Sequence, residues 1–418
     1  MKMNHKAALG LVALLFTASY LFFCARSYVA QSSGSSTSKL RHAISFAPDN
    51  STLHYALGRQ LWLQNHDLKA AITEYNTATQ LNPYPADYWI ELAAAYGVSG
   101  NDAGRDAAIT RAERAAPYDT TVLWDVANLN LMRGDTINAL HQMRTTMEHG
   151  AGGWDRYIEL CWKVTGSVDT IMEEALPPLS QGYETLLRLT ISFSRTEDAE
   201  RVWQRANLLH LVISPQVALS YFNLLLNHAR TADAAFQWQQ YTSVTPHLKG
   251  YSPSATNLIV NPNFELPVLN AALDWRYGSQ NDVSVTIDRA VRNGSGSALV
   301  IGFDGSPADT GVYQLVPVAP GATYSLSASV RSEIESVDGP RLAAVDDFSQ
   351  RRLLVTDPVS GDTGWHTIGG SFRATDTTSL VAIRIFRMPS TSQIRGRIWL
   401  DDVRLSPVAP LTANPTIR

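Results

Sequence analysis

A chain of 418 residues is too long for one ordinary core, so two or three folding units are expected. Apolar residues make up 45% and charged residues 17%, a globular balance that excludes general disorder. With 34 basic against 38 acidic side chains and no dense Lys/Arg stripe, the composition argues against nucleic acid as a partner.

At the N-terminus, Lys2, His5 and Lys6 precede an apolar run from Ala7 to Phe23 that only Gly10, Thr17 and Ser19 interrupt. Residues 1–30 therefore read as a signal anchor, a transmembrane helix. Tyr28 spoils a cut at Ala30 and Phe23 spoils a lipid-modified Cys24, so the anchor is expected to stay uncleaved. Lys2 and Lys6 outweigh Arg26, which predicts a cytoplasmic N-terminus and an extracytoplasmic bulk, periplasmic or at the cell surface. Cys24 and Cys161 lie too far apart in kind and position for a disulfide framework or a four-ligand zinc site. Residues 31–38 are mostly Ser, Gly and Thr and read as a flexible spacer.

From 39 to 244 apolar and Ala residues recur at helical spacing, with Gly and Pro confined to short breaks. Gly58, Ala93 and Ala127 stand 35 and 34 residues apart, and Pro83 and Pro117 stand 34 apart. The middle unit supplies Trp89, Leu92, Ala93, Tyr96, Ala112 and Pro117; the third departs, with Met143 and Thr146 where an aromatic and an Ala are usual. On these residues the segment resembles the tetratricopeptide family. The resemblance implies an α-solenoid whose concave face binds a protein, through Tyr55, Arg59, Trp62, Asp87, Ile90, Trp124 and Asn128. Packing between helices is the competing reading for Trp62, Ile90 and Trp124. Residues 150–244 read as degenerate repeats.

Pro246, Gly250 and Pro253 mark a linker over 245–256, after which the chemistry changes. Residues 257–407 contain no Lys and carry alternating runs such as Ala298–Phe303, Tyr324–Val330 and Leu380–Phe386, which predicts an antiparallel sandwich of roughly nine strands. Three phrases stand out: Asn257–Glu265 (NLIVNPNFE), Gln314–Tyr324 (QLVPVAPGATY) and Ile398–Val403 (IWLDDV). They resemble the opening, middle and closing strands of galactose-binding-like jelly-roll carbohydrate-binding modules. That resemblance implies a structural calcium ion tying the first strand to the last, with Glu265, Asp401 and Asp402 as its carboxylates. It also implies a possible glycan partner. The tail, 408–418, is Pro-rich.

Sugar recognition needs aromatic faces and polar groups in fixed geometry. Trp275 and Trp365 suit core packing, and Tyr277 is a reserve candidate. Alternation puts Arg395, Arg397 and Trp399 on one face of the last strand, with Arg384 and Phe386 expected on the neighbouring strand. Three Arg beside two aromatics suit an acidic glycan, because guanidinium forks match carboxylates. A solvated sheet face is the competing reading.

No His-Glu-x-x-His, Gly-x-Ser-x-Gly or phosphate-loop Gly-Lys-Ser/Thr occurs, and the ten His are scattered. The expectation is a non-enzymatic, membrane-anchored adaptor, tetratricopeptide solenoid then jelly-roll sandwich, of a kind that suits envelope polysaccharide assembly or export. Two alternatives stay open: a structural subunit whose sandwich binds protein only, and a carbohydrate-active enzyme with an unrecognised centre.

Overall fold

A computed structural model of the protein describes residue 17 and residues 36–408, apart from 151, 279–281, 292, 294 and 295. The anchor expected over 1–30, save residue 17, most of the 31–38 spacer and the tail beyond 408 lie outside the described residues. Among the described residues no helix is long and apolar enough to cross a membrane.

The helical half begins with α1 (Thr37–Phe46), α2 (Ser51–Leu63), α3 (Leu68–Leu81), α4 (Ala86–Val98), α5 (Asp102–Ala115), α6 (Thr120–Met132), α7 (Thr136–His149) and α8 (Trp154–Thr165). Asx residues cap the starts of α2, α3, α5, α6 and α7. Asp67 accepts from Ala70 N–H, Asn101 from Gly104 N–H, Asp119 from Thr121 N–H and Asp135 from Asn138 N–H, each satisfying a first-turn donor. The sequence period corresponds to antiparallel pairs: α2 packs on α3, α4 on α5 and α6 on α7. Its small residues are the points of closest approach, since Ala71, Ala78, Ala93, Ala112, Ala127 and Ala139 are all fully buried. At Gly58 a Cβ would lie 2.7 Å from the Tyr75 ring, so this position admits no side chain without displacing a buried aromatic. The departures in the third unit are packed as well: Met143 and Thr146 are fully buried, and the Cys161 thiol meets the Met143 sulfur at 3.4 Å.

Beyond α8 come a short turn over Val168–Ala175, then α9 (Ser180–Ser192), α10 (Thr196–Leu208), α11 (Pro215–Asn227) and α12 (Thr231–Val244). The compact division of the chain does not fall at the expected linker. One unit comprises residues up to Leu186 with Arg201–Leu211, and the other Leu187–Glu200 with everything from Val212 on. The physical reason lies in residues 245–277. Leu248 and Tyr251 are buried, Trp238 Nε1 on α12 donates to Tyr251 O at 2.8 Å, and Tyr251 donates to Pro267 O. Asn223 on α11 accepts from Ala272 N–H at 2.8 Å and from Arg276 Nη2 at 2.7 Å. The stretch read as a linker is thus a packed joint within the second unit.

The sandwich has β1 (Val283–Asp288), β2 (Ala298–Pro307), β3 (Val312–Pro317), β4 (Thr323–Ile334), β5 (Arg341–Asp346), β6 (Arg352–Val355), β7 (Gly361–Arg373), β8 (Leu380–Phe386) and β9 (Gln393–Pro407). They form an antiparallel five-stranded sheet, β1-β2-β9-β4-β7, and a four-stranded sheet, β3-β8-β5-β6. The inward faces share one core that includes Leu299, Ile301, Leu326, Val330, Ile383 and Leu400. The three phrases noted in the sequence bond to one another. The Asn257 side chain donates to Val403 O and accepts from Leu405 N–H, both at 3.0 Å, while the buried Gln314 amide brackets Val260, accepting its N–H at 2.9 Å and donating to its carbonyl at 2.8 Å. Those polar residues tie the opening segment to β9 of one sheet and β3 of the other.

Candidate functional site

On β9, Ile394, Ile398 and Leu400 enter the core, so Arg395, Arg397 and Trp399 face outward from the five-stranded sheet. Register completes that outer face: Val300 lies opposite Trp399, Gly302 opposite Arg397, and Ser284 and Thr286 opposite Gly302 and Val300. Arg331 and Glu333 of β4 flank Trp399 and Arg397 from the other side. Between β1, β2 and β9 runs an open groove of about 570 Å³, lined among others by Ser284, Thr286, Asp288, Arg289, Gly302 and Arg397. Gly302 is its floor, where a Cβ would stand 2.6 Å from Ser284 Oγ.

Trp399 is not a stacking platform. It is 4% exposed, packs with Ala298 and Val300, and carries the Arg331 guanidinium 4.9 Å from its ring centroid. Its Nε1 donates to Asp288 Oδ2 at 3.2 Å, and the other Asp288 oxygen accepts from Ala290 and Val291 N–H. These backbone bonds hold the Asp288 carboxyl below its usual range, and the charged acid fixes the turn that presents Arg289. Arg395 lies outside the groove; its Nη2 donates to Asp304 O at 3.3 Å.

Arg384 and Phe386 are not neighbours of this group. They lie on β8, which pairs with β3 and β5, whereas β9 pairs with β2 and β4. Alternation gives the face of a side chain but not the sheet that its strand joins. Phe386 is half-buried beneath Arg352, 5.7 Å from its ring centroid. Tyr277 packs partly buried against the core, and Trp275 is fully buried beside Phe264.

The three carboxylates expected for calcium differ in their surroundings. Asp401 is 2% exposed, accepts Asp402 N–H at 2.7 Å and Asn293 N–H at 3.2 Å. Burial raises its carboxyl, and the charges of Asp402 and Glu265 add to the rise against those two bonds. Glu265 lies against Gly296, its Oε1 2.8 Å from where a Cβ would be. The Asp402 carboxylate accepts from Arg404 Nε at 2.9 Å. Among the described residues no three His, Cys, Asp or Glu gather around one point, so carbonyl oxygens would have to complete any calcium shell.

In the solenoid, Tyr55 stacks on Tyr88 at 4.5 Å, Trp62 meets Tyr75 edge-on at 6.4 Å, and Ile90 packs half-buried with them. Arg59 lies 5.9 Å from the Tyr55 ring centroid and pairs with Glu91 at 3.4 Å. Trp124 lies beneath the Arg156 guanidinium, and Asn128 donates back to Trp124 O at 2.8 Å. Two residues of this face were missed in the sequence, Glu91 and Asp125, although they repeat 34 residues apart, one after Ile90 and Trp124. Burial raises the Glu91 carboxyl, and Asp125 and Asp87 add to it, against the pull of Arg59 and Tyr75. Burial also pushes the Tyr55 hydroxyl up to about 12.

Residues 256–392 match a family model described as a carbohydrate binding domain. No curated protein matches the chain. Among solved structures, the enzymatically active domain of bacteriophage CBA120 tailspike protein 4 is 17% identical over 37% of this chain, TM-score 0.29, and the chain spans 22% of that domain. MamA is 15% identical over 33% of this chain and 81% of its own, with a TM-score of 0.29. A CBM4 structure is 20% identical over 36% of this chain and 99% of its own, with a TM-score of 0.27.

Proposed function

We propose that the protein is a membrane-anchored, extracytoplasmic adaptor whose sandwich holds an acidic glycan in the β1-β2-β9 groove and whose tetratricopeptide-type solenoid holds a protein. It binds without turning its ligands over, in a setting such as envelope polysaccharide assembly or export. The observation that supports the glycan half is the groove itself, on the domain that matches the carbohydrate-binding family. Ser284 and Thr286 offer hydroxyls, that of Ser284 seated over Gly302, and Arg289 and Arg397 offer guanidinium forks at the rim. A calcium ion between Glu265 and Asp401 would tie the opening segment to β9 and set a cation against the burial and like charge that raise Asp401.

The test is a glycan array probed with the full chain. Acidic oligosaccharides should be retained, with binding that falls as salt rises. Arg397→Ala should weaken it at least about tenfold, the loss of one charge-assisted contact of roughly 1.5–3 kcal/mol, and Gly302→Val should abolish it by displacing the Ser284 hydroxyl. Retention of neutral glucan alone, insensitive to both changes, would move the site elsewhere. An array with no retained glycan would favour a sandwich that binds protein.

A further inference from the structure

The face shared by α2, α4 and α6 combines three features. Aromatic and apolar walls come from Tyr55, Ile90 and Trp124, half-buried in the helix packing. Each of the three helices then ends on an apolar side chain that packing does not use: Leu63 is 62% exposed, Val98 59% and Met132 78%. These lie four residues beyond Arg59, Ala94 and Asn128, hence on the same helical face. Glu91 and Asp125 directly follow Ile90 and Trp124, and Asp87 stands about one turn before Ile90. Burial raises the carboxyls of Glu91 and Asp125, and the charges of Asp125 and Asp87 add to the first rise and that of Asp119 to the second.

Two guanidinium groups lie on this face. Arg59 pairs with Glu91 and covers Tyr55, and Arg156 covers Trp124 and Tyr157 at 5.1 and 5.2 Å. Arg59 thus offsets Glu91, and Asp87, Asp119 and Asp125 outnumber Arg156, which leaves the face negative. We infer that this face takes an extended segment of a partner protein carrying Lys or Arg between apolar residues, the apolar side chains on Leu63, Val98 and Met132 and the cation among Asp87, Glu91 and Asp125. A basic side chain there lowers the like-charge repulsion, and its aliphatic stem covers apolar wall. The inference rests on the reading of the solenoid as a protein-binding element and adds the chemistry of its partner.

A random dodecapeptide phage library panned against the full chain tests it, the enriched peptides being resynthesised with a fluorophore for anisotropy. Enriched peptides should carry Arg or Lys flanked by Leu, Val, Ile or Phe, and the double variant Glu91→Gln, Asp125→Asn should weaken them at least roughly tenfold while melting like the parent. Gly302→Val, on the sandwich, should leave them unchanged. Acidic enriched peptides that nevertheless weaken on Trp124→Ala would overturn the basic partner and leave the protein-binding face standing. Peptides insensitive to Trp124→Ala and to the double variant, or no enrichment, would overturn both. A full chain that elutes as a dimer, split by Trp124→Ala, would assign the face to a second copy and overturn the proposal.

Discussion

Asp274 is fully buried; one carboxylate oxygen accepts Leu269 N–H at 2.7 Å, and the other finds no partner among the described residues. Burial pushes this carboxyl up to about 7, against a usual value near 3.8. In the unfolded chain the proton leaves near the lower value and in the folded chain near the upper one, so folding takes up a proton between them. Stability therefore falls as pH rises across that window and levels off above it. Asp274→Asn keeps the acceptor for Leu269 and removes the charge, and at pH 8 it should stabilise by on the order of 2–4 kcal/mol, with the gain vanishing below about pH 4. Parallel melting curves across that range would contradict the assignment. At Gly58, substitution by Ala should destabilise by about 1–3 kcal/mol, read from denaturant midpoints, because the new methyl meets a fully buried Tyr75 ring. The two residues differ in legibility. Gly58 announces itself through the repeat period, whereas the burial of Asp274 follows from how the 266–277 segment folds, and no local pattern encodes that.

Among elements, positions and faces were legible and sheet membership was not. Period-two alternation placed β8 and β9 and correctly turned Arg397 and Trp399 away from the core. It could not show that β8 joins β3 and β5 while β9 joins β2 and β4, because pairing is settled by long-range register. The same limit hid Arg289, whose place on the groove rim depends on the turn after β1 that Asp288 holds. For the calcium reading, Asp401 is buried and feels the charges of Asp402 and Glu265, while Asp402 also accepts from Arg404. Calcium should raise the Tm of the full chain, and Asp401→Asn should remove most of that response while Asp402→Asn leaves it nearly intact. Equal responses in all three proteins would place the ion elsewhere.

For the whole molecule, composition and periodicity sufficed to separate an α-helical half from a β-sandwich, since the two repeat patterns differ in kind. The boundary expected at 244 falls inside the second compact unit, because α11 and α12 are joined to the sandwich through Asn223, Trp238 and Tyr251. That joint makes the second unit larger than its family match, so studies of the glycan face belong on the full chain. The most direct test is hydrogen–deuterium exchange of the full chain with and without a saturating acidic oligosaccharide. Protection is expected over 283–289, 298–304 and 395–399, the strands that build the groove. Protection confined to 341–346 and 380–386, on the other sheet, would contradict the account.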